Sequence, residues 1–404
     1  MKIALFTEVY PPLINGVSTH VKTLKNGLEK LGHKVLVVTA LAKIKKHFIK
    51  DGILYCPGIS WDRIYDFGIA KPISPVRFKY IKQFNPDIIH IHTEFGVGFS
   101  GITAAKLLKI PCVYTMHTMY DDYIHYVASK KFIGIAKKVA HFYGRQIAKR
   151  ADIIVGPSVK IKEFLEKFNL KKEIEIVPNC VETDLFNPLS VEKEKVLNLK
   201  RKLFLNDEDF VGCFCGRIGK EKNIQLLIQN WAEVVKEDLN KNKKLLIFGE
   251  GPKRQELEKL VEKLNISDNV KFLGKIEHKD LPPYYCLCDF YVTASLSEVH
   301  SISTLEAMAS GLYVFHIFDE KNKSQILEGV NGSIYSSAKE MKDLILKYER
   351  LNIEERKTVR ERVRQSVLEN GELQLGERII RIYEKILKNK KNRHFLKKAK
   401  LRLK

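Results

Sequence analysis

Runs of apolar, largely β-branched residues alternate with helix-spaced segments from the first residues onward, and this alternation restricts the chain more than any other feature. KIALFTEV (2–9) precedes VSTHVKTLKNGLEKLG (17–32), in which Val17, Val21, Leu24, Leu28 and Leu31 repeat at helical spacing. KVLVVTA (34–40) comes next, then DIIHIHT (87–93), CVYTMHT (112–118), DIIVGPS (152–158) and IEIVPNC (174–180). Unbroken runs separated by helices indicate a parallel sheet covered on both faces, because a strand with one wet face would alternate polar and apolar residues.

After the polar stretch VETDLFNPLSVEKEKVLNLKRK the pattern restarts with FVGCFCGRI (210–218), KKLLIFGE (243–250), NVKFLG (269–274), DFYVTAS (289–295) and LYVFHIF (312–318). A chain of 404 residues is also too long for one ordinary core. The repeat predicts two Rossmann-like α/β domains over 1–182 and 183–370, followed by a C-terminal helix and basic tail over 371–404. Ligands of open α/β sheets lie beyond the carboxyl ends of the strands, so two such sheets facing each other would line a cleft with those loops.

The balance of 70 basic against 48 acidic residues, a net charge of +22, calls for a polyanionic partner: nucleic acid, anionic lipid or a phosphorylated substrate. No apolar run reaches the roughly 18 residues of a membrane span. Glu8 interrupts the N-terminus too early for a secretory signal, so a cytoplasmic protein is expected. Seven cysteines suit reduced thiols, and the pairs Cys213/Cys215 and Cys286/Cys288 are spaced too closely for an ordinary metal site.

The stretch SEVHSISTLEAMASG (297–311) sets Glu298 and Glu306 eight positions apart with no Lys or Arg between them to pair with. It follows the strand DFYVTAS, which puts Glu298 in the loop at that strand's carboxyl end. Ser301 and Ser303 are N-cap residues by type, so a helix should start there with Glu306 in its early turns. Its free N–H groups would suit phosphate, and carboxylates accept hydrogen bonds from the vicinal hydroxyls of a sugar or ribose. A nucleotide sugar matches both features. GRIGKEKN (216–223) places Arg217 and Lys222 where another strand opens toward a helix, either as a surface pair around Glu221 or as cations for a departing diphosphate.

GRIGKEKN, GEGPKRQEL (249–257) and SEVHSISTLEAMASG together resemble the donor domain of the retaining glycosyltransferases of family four. VYPPLINGVSTHVKTLKNGLEKLGHKVLVVT (9–39) and VPNCVETDLFNP (177–188) are similar to the same family, so the resemblance covers nearly the whole chain. It implies the GT-B architecture, two Rossmann-like domains across a cleft with the last helix packing back on the N-terminal domain. It also implies that Arg217 and Lys222 bind the diphosphate, that Glu298 is catalytic and holds donor-sugar hydroxyls, and that Glu306 holds the ribose. Gly16, in the loop after the first strand, would let the backbone approach the diphosphate. Asn15-Gly16 stands where many relatives have two glycines, Ser301 where glycine is common in this donor-binding loop, and Tyr313 where proline is common.

YTMHTMYDDYIHY (114–126) bears on the acceptor. Taken alone, His117 reads as a core histidine, but HTMYDDYIHY and HTEFGVG (92–98) resemble the bacterial diacylglycerol glucosyltransferases within the family. By that resemblance His117 is catalytic and contacts the transferred sugar, while Tyr120 and Tyr123 shape the acceptor side. The segment 129–150 has seven basic residues and no acid, with Phe132, Ile135, Val139, Tyr143 and Ile147 at helical spacing. Lys130, Lys131, Phe132, Lys137, Lys138, Arg145 and Lys149 are therefore expected to meet an anionic membrane surface, the alternative being an ordinary helix with its apolar face on the core. In the basic tail, Phe395, Leu396, Ala399 and Leu403 could share a helical face.

The resulting expectation is a retaining hexosyltransferase that moves glucose from UDP-glucose to diacylglycerol or its monoglucosyl product, peripheral on the inner face of the cell membrane. No isolated Asp-x-Asp cluster suits a metal-bound diphosphate, so no metal or other cofactor is expected. The alternatives are a phosphatidylinositol mannosyltransferase using GDP-mannose, an enzyme with a soluble acceptor, and a nucleic-acid-binding protein. The last lacks a basic reading motif, so no specific nucleic-acid partner is expected.

Overall fold

In the computed structural model the described residues are 1–13, 15–60, 68–117, 133–166, 170, 172–236, 242–296, 300–319 and 325–402; side chains of 60, 133, 135–137, 139–140, 160, 163–164 and 391–402 are outside the description. The chain divides into two compact units, Met1–Cys180 together with Glu372–Lys404, and Val181–Gly371.

The first unit is built on a nine-stranded sheet in the order β3-β4-β2-β1-β6-β7-β8-β9, with β5 pairing β4. Its strands are β1 (Lys2–Thr7), β2 (Lys34–Ala42), β3 (Phe48–Lys50), β4 (Ile53–Ser60), β5 (Gly68–Ala70), β6 (Ile88–Ile91), β7 (Cys112–Thr115), β8 (Ile153–Gly156) and β9 (Ile174–Ile176). All pairings are parallel except those of β3 and β5 with β4. In register, Ile3 faces Val35 on one side and Ile88 on the other, so the order reverses at β1. Lys34–Ala40 and 87–93 thus fold as expected. The β3–β4 hairpin was not foreseen, although Asp51 (φ 52°) and Gly52 (φ 73°) form its turn with a favoured hairpin dipeptide.

The helix Glu372–Arg402 belongs to this unit. Its Leu375, Ile379, Ile382, Tyr383 and Ile386 share one core with Val21, Leu24 and Leu28 of the helix Gly16–Lys30. The two backbones touch: a Cβ on Gly27 would lie 2.1 Å from the Glu372 carbonyl oxygen. Lys30 pairs with Glu372 beside that contact.

The second unit has a six-stranded, wholly parallel sheet in the order β12-β11-β10-β13-β14-β15. The strands are β10 (Phe210–Cys215), β11 (Lys243–Phe248), β12 (Val270–Gly274), β13 (Phe290–Thr293), β14 (Tyr313–Ile317) and β15 (Gly332–Tyr335). Five were legible as apolar runs; β15 opens with Gly332-Ser333 and so has no apolar run to stand out. Cys213 and Cys215 lie on β10, whereas Cys286 and Cys288 lie in and just after the helix Pro282–Leu287, and all seven cysteines are free thiols. Among the described residues no helix is long and apolar enough to cross a membrane.

Candidate functional site

In the second unit the strand order reverses between β10 and β13, which pair at Gly212↔Phe290. A crevice opens at such a reversal, beyond the strand ends. Arg217 and Lys222 follow β10, and Ser301 and Glu306 follow β13, so topology brings four of the expected donor residues to one switch point. Glu298 lies outside the described residues.

The loop after β10 is held by the loop after β11, backbone against backbone. Gly216 N donates to Phe248 O (3.0 Å), Ile218 N to Glu250 O (2.9 Å), and Lys253 N to Ile218 O (3.2 Å). A Cβ on Gly249, itself at φ +137°, would lie 1.9 Å from Gly216 O, and one on Gly251 would lie 2.2 Å from Ile218 O. The glycines of GEGPKR therefore serve GRIGK: they allow the close approach that fixes the backbone on either side of Arg217.

Ser301 caps the helix Ile302–Ala309, its hydroxyl accepting from Thr304 N at 3.4 Å. Its own N–H is not open to a phosphate. Gln325 Oε1 accepts it at 2.9 Å, and Gln325 Nε2 donates to Ser301 O at 2.7 Å.

Glu306 is buried and has partners after all. His278 Nε2 lies 2.9 Å from its Oε1, and the Tyr285 hydroxyl donates to its Oε2 at 3.4 Å. His278 Nδ1 faces Glu182 Oε1 at 3.9 Å, and the Phe186 ring packs edge-on against the imidazole. Cys215 lies in the same neighbourhood. Burial pushes its thiol up to about 12, the Glu306 charge adding to the shift while the Tyr285 hydroxyl and the Lys222 charge oppose it.

In the first unit His117 follows β7 and joins a cluster that only the fold reveals. His20 lies on the helix Gly16–Lys30, His90 on β6, and His92 just beyond it. His92 Nδ1 and His117 Nε2 are 3.0 Å apart, and the His20 and His117 rings meet edge to face at 4.5 Å. His90 is fully engaged, by Tyr383 Oη at 2.7 Å and Thr115 Oγ1 at 2.6 Å. Burial lowers the His20 pKa to about 4, against the pull of its Asn179 hydrogen bond. Burial first, and then mutual repulsion, holds His90, His92 and His117 well below the usual range. All four are neutral imidazoles at pH 7. The spacing of His90 and His92 on one strand face was the available sequence signal.

Gly16 is the first residue of its helix rather than a loop residue, and it is exposed, with Asn15 as the N-cap. Glu8, at the end of β1, is buried at the start of the helix Gly96–Leu108, where Val97 N donates to both its oxygens at 2.9 and 3.0 Å. Burial pushes its carboxyl up to about 8 against that hydrogen bond and the Arg77 charge.

Tyr120, Tyr123, Lys130, Lys131 and Phe132 lie outside the described residues, as does the Lys137 side chain. The helix Ile133–Arg150 forms as expected, and of its apolar stripe only the Tyr143 and Ile147 side chains are among those described. Ile147 is fully buried and Tyr143 packs edge-on against Phe99, so these two face the core. Lys138, Phe142, Arg145 and Lys149 are exposed at spacings of four, three and four, which places them along one outward stripe. Phe142 keeps 57% of its surface in solvent among those three cations.

Residues 14–185 match the family model of Glycosyltransferase Family 4, and residues 196–366 that of Glycosyl transferases group 1. The chain is 32% identical over 346 residues to the alpha-monoglucosyldiacylglycerol synthase of Streptococcus pneumoniae, spanning 86% of this chain and 78% of the relative. It is also 32% identical over 345 residues to the enzyme of the same name from Acholeplasma laidlawii, spanning 84% and 86%. In fold it is similar to Anabaena HepE, solved in complex with UDP-glucose: the TM-score is 0.71 at 16% identity, covering 95% of this chain and all of that one.

Proposed function

The chain belongs to the GT-B glycosyltransferases of family 4, and from that premise we propose that it transfers glucose from UDP-glucose to the 3-hydroxyl of diacylglycerol, with retention, at an anionic membrane surface. One observation carries this reading: the likeness over most of the chain to two enzymes named for making monoglucosyldiacylglycerol.

The switch-point residues of the second unit suit the donor. Glu306, already oriented by His278 and Tyr285, holds the ribose hydroxyls; Glu298 holds those of the glucose. Arg217 and Lys222 take the diphosphate. As the bond from C1 to the phosphate oxygen breaks, the acceptor oxygen bonds to C1 on the same face, and the acceptor's proton passes to the departing phosphate oxygen. The two cations stabilise the charge growing there, so the reaction needs no metal. His117 contacts the glucose as a neutral imidazole, able to donate one hydrogen bond and accept another. Tyr120 and Tyr123 shape the acceptor side.

The acceptor stays in a bilayer, and the stripe Lys138, Phe142, Arg145 and Lys149 supplies a means of reaching it. The test is incubation with UDP-glucose and diacylglycerol in vesicles with and without an anionic lipid, in EDTA, following UDP release and glycolipid. Glucolipid formation that depends on the anionic lipid is expected. Preference for GDP-mannose, or UDP release without glucolipid, would overturn the assignment of donor or acceptor respectively.

A further inference from the structure

We propose that His20, His92 and His117 form a site for a transition-metal dication of the Zn²⁺ class, and that its occupation inhibits the enzyme by taking His117 away from the sugar. One ring nitrogen from each lies within 4.8 Å of the other two. Tetrahedral coordination with bonds of about 2.0–2.1 Å needs nitrogens about 3.4 Å apart, so the rings must close by about 1.4 Å at most. Three imidazoles and a water are an established zinc ligand set.

Two further observations point to a ligand. Among the described residues, His20 Nε2 and His92 Nε2 are both buried without a hydrogen-bond partner, on side chains only 3% and 1% exposed. Leaving such a buried polar atom unsatisfied is unfavourable, and a purely structural histidine cluster leaves that cost standing. The surroundings also prepare one of these atoms. Asn179 Oδ1, 3.1 Å from His20 Nδ1, can only accept, so it fixes the proton on Nδ1 and leaves the Nε2 lone pair bare. A hydrogen bond of this kind, from the outer ring nitrogen to a carbonyl oxygen, is how ligating histidines are oriented. His90 is excluded as a ligand because both its nitrogens are engaged. His117 is partly exposed, which gives the ion a route in and room for a water or hydroxide as fourth ligand.

The site stands on these residues alone; its inhibitory effect rests on the sugar contact proposed above for His117. Co²⁺ added to the full chain should bind one equivalent and give visible absorption from nitrogen and oxygen ligands, without thiolate-to-cobalt charge transfer. Asn179→Ala should weaken that binding about 10–100-fold, as loss of an orienting partner does. His20→Ala and His92→Gln should abolish it, while His33→Gln should leave it intact. No such spectrum in the wild-type protein, or its survival in His20→Ala, would overturn the site. Zn²⁺ should suppress glucosyl transfer by the wild-type protein, with EDTA restoring it. Binding without inhibition would overturn the inhibitory effect and the sugar contact of His117, while leaving the site.

Discussion

His278 Nε2 lies 2.9 Å from Glu306 Oε1, so a carboxylate eight residues beyond Glu298 is held by a histidine from a different loop. The buried Glu306 side chain is thereby oriented without help from a ligand. His278→Ala removes this partner, and hydrogen bonds to charged groups contribute about 1.5–3 kcal/mol. UDP binding, measured by calorimetry, should weaken about ten- to a hundredfold, with KM for the donor rising more than kcat falls. Unchanged UDP affinity would mean that Tyr285 alone positions the carboxylate, or that Glu306 does not touch the ribose.

Glu8 makes the folded protein prefer a proton that the unfolded chain gives up near its ordinary pKa of 4.5, whereas the folded carboxyl holds it up to about 8. A raised folded pKa stabilises fully below the unfolded value and is lost as pH rises through the folded one. Glu8→Gln keeps the shape and cannot ionise. The stability difference, Glu8→Gln minus wild type, should grow steadily from pH 4.5 to 8, by an amount on the order of 4 kcal/mol. Urea unfolding of both proteins across that range is the measurement; a flat difference would show that Glu8 ionises freely in the fold.

Gly249→Ala places a methyl 1.9 Å from Gly216 O at a residue with φ +137°. Both effects push the loops after β10 and β11 apart. A loss of roughly 1–3 kcal/mol is expected, seen as a lower Tm, together with weaker UDP binding because Arg217 sits on the displaced loop. A variant as stable as wild type would require the loop to shift at no cost.

Replacing Lys138, Arg145 and Lys149 together by Ala should weaken binding to anionic vesicles by about 3 kcal/mol, roughly a hundredfold. Activity in neutral detergent should be retained. Equal loss in vesicles and detergent would assign the stripe to folding rather than to the membrane.

The parallel sheets were legible because β1, β2, β10 and β11 are buried on both faces and so have unbroken apolar sequences. The hairpin of β3 and β4 was overlooked because its only cue is the dipeptide Asp51-Gly52, set in a stretch with exposed strand residues. Ser301 was legible as a cap because capping is a local hydrogen bond. Its closure by Gln325 was not, since that contact crosses 24 residues. Glu306 looked unpartnered for the same reason: helical pairing rules reach four residues, and His278 lies 28 residues upstream. The apolar stripe of 132–147 had the right period, but periodicity cannot say whether a stripe faces a core or a lipid; Phe99 decides it for Tyr143.

The helix Glu372–Arg402 closes the core of a unit whose sheet is encoded by the first 180 residues. A ribosome delivers about 5–20 residues per second, so synthesis of Val181–Gly371 leaves Val21, Leu24 and Leu28 without their cover for about 10–40 s. During that interval the nascent chain carries a bare apolar helix face, a target for chaperones and for neighbouring chains on the same message. The domain translated second is the first that can be finished, and the one translated first waits for the last helix.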